Sequence, residues 1–217
     1  MIKLIVLVRR AEGVSHDELV ESWLNAHTPA VVKRFQPDHC SVTIFDSKPD
    51  QQYDGMTTLW FKDAERASSF YEPQRETSYL TTELNDGFFE LTDKNPTVLA
   101  CEEHVIVDGP RPSQAVKVTG LVRRKSDGDV RAFYKSWLED HAPNVSGALA
   151  ATPGGLRYVI SHATLGGPEP HYAGLAEVYY ADKTAAQAHM GKLGLDNFLK
   201  VSEAAGFYHG YEIVAIE

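Results

Sequence analysis

The chain has 217 residues, 43% of them hydrophobic and 24% charged. That composition fits a folded soluble protein and excludes collagen, a coiled-coil rod, a disordered tail and a disulfide scaffold. Lys and Arg number 21 against 30 Asp and Glu, a formal net charge of −9, and no basic cluster exceeds Arg9-Arg10 and Arg123-Arg124-Lys125, which argues against nucleic acid as a partner.

Residues 2–9 are an apolar, β-branched run that reads as a strand. The run is too short to span a membrane and lacks the flanks of a secretion signal, so a cytoplasmic protein is expected. Ser15-His16-Asp17-Glu18 reads as a capping box, followed by Leu19, Trp23, Leu24, His27 and Val31 at helical spacing. Residues 39–46 and 55–62 alternate as strands, 63–84 read as a helix, and 97–107 as a closing strand. The order is βαββαβ, the ferredoxin-like unit, whose helices cover one face of an antiparallel sheet.

The same unit then recurs. Lys3 to Arg10 can be laid on Lys117 to Arg124, Ser22-Trp23-Leu24 on Ser136-Trp137-Leu138, and His27-Thr28-Pro29 on His141-Ala142-Pro143. Tyr53-Asp54-Gly55 falls on Tyr172-Ala173-Gly174, Asp63 on Asp182, and Phe88-Phe89 on Phe207-Tyr208. The turn-rich Ala151-Thr152-Pro153-Gly154-Gly155 absorbs the insertion this needs. The expected fold class is α+β, with tandem ferredoxin-like domains at 1–108 and 116–217, a linker at 109–115, and two sheets closing into a barrel.

Alternation along the strands sets the expected site. Cys40, Val42 and Ile44 form an aliphatic face for the helices, opposite His39, Ser41, Thr43 and Phe45. In the second copy, Tyr158, Ile160 and His162 oppose Val159, Ser161 and Ala163, and Glu177 with Tyr179 opposes Val178 with Tyr180. A pocket lined by His, Tyr, Trp and one Glu suits a small molecule. His141 and His27, each one helical turn after a Trp, read as general acid/base residues or as caps of a frayed helix end. Glu177 and His162, in strands of the second copy alone, read as a tuned acid/base pair or as a structural one. Trp60, Tyr179, Tyr158 and His39 are the expected pocket wall, with Tyr172 and Tyr53 at its mouth. His16, His104, His171, His189 and His209 read as surface residues.

On these residues the chain resembles the EthD-like family of the dimeric α/β-barrel superfamily. The signature is an apolar strand ending in basic residues, then Trp-x-x-x-His-x-Pro, present at Trp23-Leu24-Asn25-Ala26-His27-Thr28-Pro29 and at Trp137-Leu138-Glu139-Asp140-His141-Ala142-Pro143. The resemblance implies a fused version of a fold whose members pair as homodimers, and a homodimer of the fused chain is among the expected assemblies. It also implies cofactor-free chemistry of the lyase or isomerase type on aromatic or polyketide-like compounds. A non-catalytic binding or stress-response module with the same pocket is the alternative. No metal-ligand spacing, phosphate loop or dinucleotide fingerprint occurs, so no cofactor is expected. Haem stays open as a lesser alternative, because chlorite dismutases and dye-decolourising peroxidases use paired ferredoxin-like units, although the GxxDG element of those peroxidases is missing.

Overall fold

The structure, a computed structural model, describes residues 1–70, 84, 86–93, 96–112, 115–125, 129–164 and 172–217. Strand β1 (Ile2–Val8) is followed by helices α1 (His16–Ser22) and α2 (Thr28–Phe35), strands β2 (His39–Phe45) and β3 (Gly55–Phe61), helix α3 (Ala64–Phe70) and strand β4 (Thr97–Val107). The second run is β5 (Val116–Arg124), α4 (Val130–Ser136), α5 (Ala142–Ala150), β6 (Gly155–Ala163), β7 (Gly174–Tyr180), α6 (Lys183–Met190), α7 (Phe198–Val201) and β8 (Ser202–Ile216). This is the α+β order read from the sequence. Of the helix expected at 63–84, residues 71–83 lie outside the described residues. The eight strands follow one another in the closed order β1-β3-β2-β8-β5-β7-β6-β4, an antiparallel barrel. Among the described residues no helix is long and apolar enough to cross a membrane.

Two compact units share the chain. Unit 1 takes Met1–Cys101, Thr164–Pro168 and Glu212–Glu217; unit 2 takes Glu102–Ala163 and Glu169–Tyr211.

In unit 1, β1 pairs with β3 and β4, and β3 with β2. Directly opposed residues share a face, so the register assigns every side chain. Cys40, Val42 and Ile44 stand opposite Leu59, Thr57 and Gly55. This face meets the helices: the Trp23 indole donates to Thr57 Oγ1 at 3.0 Å, and Phe61 lies 6.2 Å from Phe70 of α3. The other face carries Lys3, Trp60 and His39 in one row and Ile5, Thr58 and Ser41 in the next. A side chain at Gly55 would meet the Thr43 carbonyl at 2.3 Å, and one at Gly174 the Ser161 carbonyl at 2.1 Å. Close strand approach therefore requires both glycines.

In unit 2, β5 pairs with β7 and β8, and β7 with β6. Val118, Tyr158, Ile160, Val178 and Tyr180 pack with Phe133, Trp137, Val145, Leu149 and Phe198 in one apolar core. Burying a large apolar side chain stabilises by roughly 1.5–3 kcal/mol, and Trp137 and Tyr158 are both fully buried there.

Each Trp-x-x-x-His segment departs from the α-helix read from its periodicity. Trp23–His27 and Trp137–His141 form π turns, closed by the Thr28 amide on the Trp23 carbonyl and the Ala142 amide on the Trp137 carbonyl. Pro29 and Pro143 explain the widening: a proline has no N–H and its ring clashes with the carbonyl four residues back, so an extra residue is let into the preceding turn. Ser15 accepts from the Glu18 amide, and Asp129 and Asp182 cap α4 and α6 in the same way.

Candidate functional site

The face of unit 2 turned away from its helices holds a charge where a strand would ordinarily carry none. Lys117 and Glu177 form an ion pair of 2.7 Å between Nζ and Oε1, with side chains 0% and 2% exposed. Ser161 donates to the second carboxylate oxygen at 3.2 Å. Register places Thr119 opposite Glu177 and Lys117 opposite Tyr179. The ammonium of Lys117 lies 5.0 Å from the Tyr179 ring, and the Arg111 guanidinium 5.8 Å from it, both at cation–π range. Two buried charges offset their desolvation only through such close pairing and further hydrogen bonds. Glu177 is thus a buried carboxylate held between a cation and a hydroxyl.

His162 does not join it. Tyr158 opposes Val178 in the register, and His162 opposes Gly174, so His162 shares the helix-facing side while Glu177 points the other way. The rings of Tyr134, His104 and Trp137 lie 4.3, 4.6 and 5.1 Å from the His162 ring. Burial, then the neighbouring His104, pushes its pKa down to about 3, so it is a neutral imidazole.

His141 and His27 stand in a third setting, the helix layer, and are matched in detail. His141 Nδ1 lies 2.8 Å from Asp196 and His27 Nδ1 2.8 Å from Asp86. Phe198 stacks on His141 at 4.9 Å and Phe88 on His27 at 4.0 Å. In each unit the aspartate's other oxygen accepts the amide of that phenylalanine at 3.1 Å. Burial disfavours the charge on Asp196, but Asn144 and His141 bond it and hold its pKa below the usual carboxylate range. Burial lowers the pKa of His27 against the pull of Asp86. His141 is the more open of the two, with 20% of its side chain exposed against 5%.

These contacts correct the repeat at one place. Phe88 corresponds to Phe198, not to Phe207: Phe198 does for His141 what Phe88 does for His27, whereas Phe207 lies on β8 and is 57% exposed. Two surface readings also change. His189 is buried, with its ring nitrogens on the Tyr180 hydroxyl and the Val145 carbonyl. His104 is half-buried against His162; His171 lies outside the described residues.

The expected wall residues divide as well. Trp60 lies under Lys3 at 5.2 Å, with His39 edge-on at 6.4 Å, on the face of unit 1 away from its helices. Tyr179 has the matching place in unit 2. Tyr158 is instead in the helix-side core, where burial pushes its hydroxyl pKa up. Tyr172 is buried beneath the Arg123 guanidinium, 5.1 Å away, and the Tyr53 hydroxyl bonds Thr97. A cleft of about 670 Å³ in unit 1, bounded by Arg9, Arg10, Glu12, Asp54 and Asp93, contains none of these residues.

Sequence reasoning missed Asp86, Asp196, Ser161 and the role of Lys117. For the lysine a signal existed: Lys3 and Lys117 each interrupt an apolar strand at the same place in both copies. Haem needs an imidazole edge facing an open slot. His162 is enclosed by three rings, and His189 has both nitrogens engaged. These histidines do not fit the group. Among the described residues, no three His, Cys, Asp or Glu side chains gather as a metal site.

No protein-family model and no curated protein matches the sequence. Solved structures do. An anthrone oxidase-like protein superposes with a TM-score of 0.61 at 13% identity, over 100% of this chain and 94% of its own. A candidate monooxygenase of Lactobacillus acidophilus NCFM gives 0.53 at 12%, over 99% and 95%. A chlorite dismutase variant of Candidatus Nitrospira defluvii gives 0.61 at 10%, over 98% and 90%. At such identities the likeness shows the fold, that of the dimeric α/β-barrel proteins, and not the reaction.

Proposed function

We propose that this chain is a cofactor-independent enzyme of the lyase or isomerase type, allied to the EthD-like proteins, that moves a proton on a small, apolar, oxygenated substrate. The observation that carries the reading is the buried Lys117–Glu177 pair. Unit 1 has Thr58 at the place of Glu177, each standing opposite the fourth residue of its first-strand register, Ile5 or Thr119. The fold therefore does not require a carboxylate at that strand position: unit 1 takes its own buried carboxylate, Glu212, from β8, where Ser41 bonds it, and a desolvated Glu on the third strand of unit 2 alone points to a role of its own.

In this reading Glu177 takes a proton from a carbon next to a substrate carbonyl. The electron pair moves onto the carbonyl oxygen, and the Lys117 ammonium stabilises the enolate charge that develops. Return of the proton to another carbon gives an isomer; loss of a leaving group from the adjacent carbon gives a lyase product. Tyr179 supplies an aromatic wall. Ser161 fixes the carboxylate, and His141 and His27 anchor the π turns through Asp196 and Asp86 rather than touching the substrate.

The neighbour named for anthrone makes that fused-ring ketone a reasonable first probe. In heavy water, the protein is expected to speed deuterium uptake at the methylene carbon of anthrone. Glu177→Gln is expected to lower that rate by about 100-fold or more, the scale of a lost general base. Exchange no faster than in buffer, or equal in the variant, overturns the assignment.

A further inference from the structure

We infer that His104 and His162 form a two-nitrogen site in unit 2 for a borderline divalent transition-metal ion of the Zn(II), Ni(II) or Cu(II) class. The two rings come from β4 and β6, neighbours in the strand order. The Nε2 atom of each is buried and has no hydrogen-bond partner among the described residues. Buried polar atoms are rarely left so, and two adjacent imidazoles with the same deficit call for one agent that satisfies both. A single ion bound by both nitrogens would do this.

The geometry suits cis ligation. A metal–nitrogen bond of about 2.1 Å, with the ring centre about 1.2 Å behind the nitrogen, puts two cis or tetrahedral ligands about 4.7–5.4 Å apart between centroids. The observed separation is 4.6 Å, with the rings inclined at 58°. Imidazole is the side chain suited to these metals, and it ligates when neutral. Burial keeps His162 in that form, as described above. His104 is half-buried, so it is the member of the pair nearer to solvent.

Unit 1 shows that the fold does not need the pair. Ile44 opposes Gly55 as His162 opposes Gly174, and the isoleucine simply joins the apolar helix-facing side. The sequence holds no hint of the site, because its members are far apart and share no ligand spacing.

The test is calorimetric titration of the full chain with zinc, nickel and copper(II) ions, separately, beside His104→Ala and His162→Ile. The second variant installs the residue unit 1 already tolerates. One ion per chain is expected, at least tenfold weaker in either variant, with an ion-dependent rise in unfolding temperature in the parent alone. As a second readout, cobalt(II) is expected to broaden the His162 ring resonances of the parent. Uptake equal in parent and variants, or no uptake by a folded parent, overturns the proposal.

Discussion

Replacing Lys117 with Met removes the ammonium 2.7 Å from Glu177 and fills its volume with an apolar chain. The carboxylate stays where it was, in a side chain 2% exposed, and the Ser161 hydroxyl, at 3.2 Å, brings it no charge. Removing one partner of a buried ion pair costs about 3–5 kcal/mol, since the remaining charge is desolvated without compensation. For a chain of this length each kcal/mol lowers the midpoint by about 2–4 °C, so a fall of about 6–20 °C is expected at pH 7. The loss also acquires a pH dependence. Deprived of the ammonium, Glu177 holds a proton in the folded state at pH values where the unfolded chain, titrating near about 4.3, has released it. The folded protein then binds more protons, so the variant loses stability as pH rises from about 5 toward 7, by at most about 1.4 kcal/mol per unit. Adding Glu177→Leu removes the other half of the pair and is expected to recover most of the loss. Urea unfolding of parent, single and double variants at pH 5 and 7 measures all three effects. A single variant as stable as the parent, or a double variant worse than the single, refutes the reasoning.

Two further outcomes follow from the helix-facing sides. Burial lowers the pKa of His27, His162 and His189, so the unfolded chain binds protons that the folded one refuses. Stability is therefore full above about pH 6.5 and falls as the pH drops below it, with a shallower fall in His162→Ile, checked by urea midpoints at pH 7.5 and 5.5. The Trp23 indole has Thr57 as its acceptor, whereas the Trp137 nitrogen is buried with no well-formed hydrogen bond among the described residues, the Tyr158 hydroxyl being its polar neighbour, and Ala176 takes the equivalent strand position. Ala176→Thr is expected to stabilise by about 0.5–1.5 kcal/mol through the restored bond, and an unchanged or lower guanidinium midpoint would falsify that.

Much of the architecture was legible because it is written twice. Periodicity, the Trp-x-x-x-His-x-Pro element and the paired glycines gave the strand and helix order and the two copies. What alternation could not supply was register. Within one strand, Glu177 and Tyr179 plainly share a face, but whether His162 shares it depends on how β6 lies against β7, and a slip of one residue reverses the answer. The carboxylates of the helix layer were hidden for a different reason. Asp86 and Asp196 reach their histidines across 59 and 55 residues, and the second copy is shorter between the glycine and that aspartate, so alignment by spacing landed on Phe207. Lys117 was visible as a repeated charge but had no role until its partner on β7 was seen.

Residues 212–217 belong to unit 1 although all of unit 2's main segments precede them, and the Ser41 hydroxyl reaches Glu212 over 171 positions. No single cut can separate the two units, since any such cut strips unit 1 of a piece it shares. The order of synthesis follows. A ribosome making this chain will have delivered the whole of unit 2 before unit 1 has the residues to finish, so the first unit begun is the last completed. Contacts of that sequence range are slow to form. The interval is one in which the partly built sheet exposes strand edges, and a chaperone or a second nascent chain would meet the protein there.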